Sequence, residues 1–87
     1  MRGRREDPQR RLWRLYRRLP RDVRRLAARA YKVWQQDPFH PSLHFKKVSD
    51  DLWSVRVGAH HRALGRFHDH RLVWSWIGTH ADYDRML

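Results

Sequence analysis

Leu43-His44-Phe45-Lys46-Lys47-Val48-Ser49-Asp50-Asp51-Leu52-Trp53-Ser54-Val55-Arg56-Val57-Gly58 is the stretch at which the apolar period of the chain changes. Upstream, hydrophobic residues recur at helical spacing. Within the stretch, Leu43 and Phe45 alternate with His44 and Lys46, and Trp53, Val55 and Val57 alternate with Ser54 and Arg56. Side chains two apart on a strand share a face, so the pattern predicts two half-buried strands. Ser49-Asp50-Asp51 is the turn between them, because short polar side chains bond locally to the backbone there.

Downstream, a third strand is expected from Arg62 to Phe67, with His68-Asp69-His70 as a hairpin tip. The fourth, Leu72 to Ile77, is apolar on both faces and carries Trp74 and Trp76 on one of them. Such a strand suits a central or doubly covered position. In the tail, Thr79-His80-Ala81-Asp82 resembles a capping box for a short terminal helix, which explains Thr79 and Asp82 without any chemistry. Upstream, Leu12, Leu15, Tyr16 and Leu19 line one side of a helix starting near Gln9. Pro20 ends that helix and starts a second, from about Arg21 to Gln36, whose apolar side is Val23, Leu26, Ala27, Ala30, Val33 and Trp34. Asp22 favours its N-terminus, and Asp37-Pro38 stops it. The order predicts an α+β fold: an N-terminal two-helix hairpin packed on one face of a four-stranded antiparallel sheet. Met1–Pro8 reads as a flexible basic arm, and residues 9–87 as a single domain.

The chain has 87 residues, so its core must be efficient; five Trp, three Tyr and three Phe supply that. With no cysteine, disulfides and thiolate metal sites are excluded. No apolar run reaches the roughly 18 residues of a membrane span, and the Arg-rich start lacks a signal peptide's apolar segment. The expectation is a cytoplasmic protein that meets no membrane. The net charge of +11 is uneven: residues 1–30 hold 12 Arg against three acids, whereas all seven His come from His40 onward. A basic half of this kind attracts phosphate chains, although solvated basic helix faces are also common.

This order of elements, together with particular words, resembles the RelE/ParE superfamily of bacterial toxins. The words are Leu19-Pro20, the run Asp37 to Lys46 with its Pro41-Ser42-Leu43-His44-Phe45-Lys46 block, Leu52 to Val57, Arg62-Ala63-Leu64-Gly65, and the ending Trp76 to Asp84. The resemblance spans most of the chain from Leu12 and implies a curved sheet whose concave face carries the working residues. Nuclease members cleave messenger RNA in the ribosomal decoding site without a metal or small-molecule cofactor, and an antitoxin silences them. Members that poison DNA gyrase share the fold without the nuclease residues, so the fold alone does not fix the activity.

Metal-free RNA cleavage requires the 2′-hydroxyl to lose a proton, the 5′-oxygen to gain one, and the phosphorus centre to be stabilised. Imidazole suits the proton transfers and guanidinium the phosphate. His80, just after the last strand, matches where nuclease members place a basic or imidazole group. Arg62 matches a family arginine at the start of the third strand. Arg56 points away from Val55 and Val57, toward the open face if those valines meet the helices. His61 is a second acid–base candidate, but it stands beside Arg62 and adjacent strand residues point apart; His60 is its competitor. Tyr83 would stack on a base or orient phosphate, or pack on Trp74 or Trp76. Lys46 and Lys47, with Arg14, Arg17, Arg18, Arg21 and Arg25 on the Arg-rich side of the helices, are candidates for phosphate contacts to RNA. His68-Asp69-His70 is better explained as a polar turn than as a metal site. The expected partners are a cognate antitoxin, the ribosome and messenger RNA; the alternatives are a gyrase inhibitor and a non-toxic antitoxin-binding module.

Overall fold

The computed structural model describes residues 6–87. Of the basic arm, residues 1–5 lie outside the described residues. Asp7 caps the first helix, α1 (Pro8–Arg17), accepting from the amides of Gln9 at 2.8 Å and Arg10 at 3.4 Å. Pro8 fits the first helical turn because its missing N–H is not needed there. Pro20 caps α2 (Arg21–Gln36). The corner between them is held by Arg24, which donates to Leu19 O at 2.6 Å and whose own carbonyl accepts from the Tyr16 hydroxyl at 3.3 Å.

The strands are β1 (Lys46–Ser49), β2 (Leu52–Val57), β3 (His61–His68) and β4 (Arg71–Thr79), paired antiparallel in sequential order. A short helix, α3 (His80–Met86), follows β4 directly. Register sorts the side chains. Val55, Ala63 and Ile77 lie across from one another and face the helices, as does Val57. These four and Leu43 are the buried centre, and Leu12, Leu15, Tyr16, Leu19, Ala27, Ala30, Val33 and Trp34 pack on it. The helical spacing and the strand alternation therefore meet in one core. The α+β architecture, with its helical hairpin ahead of the sheet, is the expected one.

Three local expectations need correction. The first strand starts later than the alternation suggests: Pro41–Leu43 is a single 3₁₀ turn, and His44 is left-handed at φ 45°. Leu43 is buried by this turn and not by strand pairing. The second correction concerns β4, which is an edge strand and not a central one. α1 lies against it, and Arg11 Nε donates to Ser75 O at 3.0 Å. Finally, Trp74 and Trp76 do not share a face. The register slips at Ser75, so Trp74 pairs with Gly65 and Trp76 with Leu64. One inserted residue exchanges the faces of everything beyond it. Trp74 joins Trp34 and Phe45 on the helix face, whereas Trp76 lies over Gly78 on the open face.

Candidate functional site

The face of the sheet away from α1 and α2 carries Ser54 across from Leu64, and Arg56 across from Arg62, which is in turn across from Gly78. Arg62 is only 5% exposed. Burying a guanidinium is costly unless its N–H groups are bonded, and here two nitrogens are. Nε donates to Ser54 Oγ at 2.7 Å, and Nη2 donates to His44 O at 3.3 Å. The left-handed turn at His44 places that carbonyl beneath the sheet edge. The remaining nitrogen, Nη1, makes no hydrogen bond among the described residues and is not sealed from solvent, since the two buried orphan groups are the indole nitrogens of Trp34 and Trp74.

α3 closes over one end of this face. Thr79 Oγ1 caps it by accepting from the Asp82 amide at 3.1 Å, and Asp82 turns its carboxylate to Arg85. Only the first half of the expected capping box therefore forms. The His80 amide donates to His60 O at 2.8 Å, tying the start of α3 to the β2–β3 loop. Tyr83 is buried between two partners. The Arg62 Cζ stands 5.1 Å from its ring centroid, and the His80 ring meets it edge-on at 5.6 Å. Its ring is thus taken up by packing on Arg62 and His80, rather than on Trp74 or Trp76.

His80 is half exposed, and its Nδ1 donates to Asp84 Oδ2 at 3.1 Å. A carboxylate oxygen only accepts, so Nδ1 bears the proton and Nε2 of the neutral ring keeps its lone pair. The group of Ser54, Arg62, Tyr83, His80 and Asp84 thus combines a fixed cation with an oriented imidazole. Ser54 and Asp84 were not among the sequence candidates. The four-residue spacing of His80 and Asp84 on a helix is a readable signal for that pair; no sequence signal marks Ser54.

Other candidates fall elsewhere. His61 is across from Val57 and Thr79, on the face opposite Arg62, so the two do not share a site. His60 contributes its carbonyl and has an exposed side chain. Arg56 is on the open face by register only: its side chain donates from Nε to Gly58 O at 2.9 Å and lines a groove with Leu26, Arg29 and Val33 of α2, away from Arg62's partners. Lys46 is across from Ser54, on the candidate face, whereas Lys47 is across from Trp53, on the helix face. Arg14, Arg21 and Arg25 are exposed on the helices, and Arg18 is exposed in the turn just after α1. Arg14 is paired with Glu6 at 2.7 Å, and its hydrogen bond is the main cause holding the Glu6 carboxyl below its ordinary value. Among the described residues no three His, Asp or Glu side chains come together to hold a metal ion, the His68-Asp69-His70 tip included. No helix there is long and apolar enough to cross a membrane.

A family model described as a ParE-like toxin domain matches residues 21–85, from the start of α2 through most of α3. No curated protein and no solved structure matches the chain.

Proposed function

We propose that this chain, which belongs to the ParE-like toxin domain family, is the toxin of a toxin–antitoxin pair that cleaves messenger RNA on the ribosome. The family implies an antitoxin as its partner; the cytoplasm, the ribosome and the messenger are parts of the proposal. The observation that carries it is the carboxylate-oriented imidazole of His80 next to the Tyr83–Arg62 stack. In the proposed reaction, Nε2 of His80 takes the proton of an RNA 2′-hydroxyl. That oxygen bonds to the adjacent phosphorus as the bond to the 5′-oxygen breaks. The imidazolium returns the proton to the leaving oxygen, giving a 2′,3′-cyclic phosphate and a 5′-hydroxyl. Nη1 of Arg62 stabilises the charge on the phosphate, Tyr83 and Asp84 act as positioning residues, and Lys46 holds the strand. No metal or small-molecule cofactor takes part.

The test is primer extension on messengers from translating extracts with the intact chain or its His80→Ala variant. Discrete new ends inside translated codons, lost in the variant, support the reading. Ends that persist in the variant remove His80 from the reaction. A second reading, inhibition of DNA gyrase, is favoured by one observation: Arg62 is buried and bonded within the fold, as a purely structural arginine would be. Trapped DNA breaks with messengers intact would select it.

A further inference from the structure

α1 carries a second surface, on the helices that cover the sheet face opposite His80. Trp13 is 52% exposed, although most aromatic residues of the fold are at least half covered. Its indole packs at a near-right angle on the Tyr16 ring, at 5.4 Å between centroids. Around it, in a shallow depression, stand Arg10, Arg14 and Arg17, with Glu6 paired to Arg14. Arg10 and Arg17 make no ion pair among the described residues. This stripe precedes the residues that match the family.

An exposed apolar ring ordinarily predicts an apolar partner, yet the neighbours of this one are guanidinium groups. The combination of a presented π-face and two free cations within one or two helical turns fits a chain of alternating bases and phosphates. A base stacks on the indole while flanking phosphates meet Arg10 and Arg17. Bases inside a duplex are already stacked, so the fitting strand is single. We infer that Trp13, with Arg10 and Arg17, forms a stacking site for single-stranded RNA, separate from the His80–Arg62 group. The choice of RNA over DNA rests on the proposed function; the stacking geometry does not.

The test is fluorescence anisotropy of a labelled single-stranded RNA titrated with the full chain, run across a salt series. Trp13→Ala weakens binding by about 5- to 150-fold, the range for losing one stacked base, while Trp13→Phe retains most of it. Arg10→Ala and Arg17→Ala each lower the slope of log affinity against log salt by about 0.7. The readout is binding and its dependence on Trp13, not cleavage, so a failure of the cleavage reading leaves this result standing. The inference is overturned if Trp13→Ala binds as tightly as the intact chain, or if an abasic strand of the same length binds as tightly as the RNA. It is also overturned if polyglutamate binds with the same dependence on Trp13. A DNA strand bound more tightly than the RNA overturns the assignment to RNA.

Discussion

The two faces of this sheet are built on different principles. On the helix face, Val55, Val57, Ala63 and Ile77 are buried by apolar packing, which needs only shape and area. On the open face the same strands bury Ser54 and Arg62 beside the apolar Leu64, and the contacts of the polar pair are directional: the Ser54 hydroxyl, the His44 carbonyl and the Tyr83 ring surround one guanidinium. A packed apolar face tolerates volume-conserving exchange. A buried cation does not, because any lost partner leaves a charged donor dry. Stability resides mainly on the first face and the proposed chemistry on the second, with Arg62 placed to serve both. Loss of toxicity on changing Arg62 therefore says little about catalysis, whereas half-exposed His80 separates the two roles.

Substitutions on each face separate the two kinds of burial. Ile77→Ala on the helix face is expected to cost about 2–5 kcal/mol in a denaturant titration; a value under about 1 kcal/mol would mean that this face is not the main source of stability. Arg62→Ala, on the open face, is expected to cost about 1.5–3 kcal/mol, since it strands the Ser54 hydroxyl and the His44 carbonyl. Arg62→Lys recovers little of that, because an ammonium lacks the fork that reaches both acceptors. Ser54→Ala removes one of Arg62's acceptors and should cost about 1–2 kcal/mol. Asp84→Ala is expected to change stability by no more than about 0.5 kcal/mol, as exposed helical pairs do, while lowering cleavage. Equal cleavage by this variant and the intact chain would remove the carboxylate from the site.

What was legible in the sequence divides along the same line. The apolar periods of α1, α2 and β2 placed the core residues, because burial by packing leaves a pattern in one strand or helix at a time. The capping threonine and the position of His80 after β4 were also readable locally. The slip at Ser75 was not, because it depends on β3: a Cβ on Gly65 would stand 2.9 Å from Val73 O and 3.0 Å from the Trp74 ring, so only glycine admits that approach. Alternation alone consequently put Trp74 and Trp76 together. Likewise, nothing in Leu43-His44-Phe45 announced that His44 turns left-handed to offer its carbonyl to a residue 18 positions away. Buried polar contacts are specified by pairs distant in sequence, and a single chain shows only one member at a time.

If the open face carries out the proposed 2′-hydroxyl attack on RNA, the chemistry of the cut ends records it. Fragments produced by the intact chain in a translating extract should carry a 2′,3′-cyclic phosphate upstream and a 5′-hydroxyl downstream. Fragments ending in a 3′-hydroxyl and a 5′-phosphate, or no fragments at all, would contradict it.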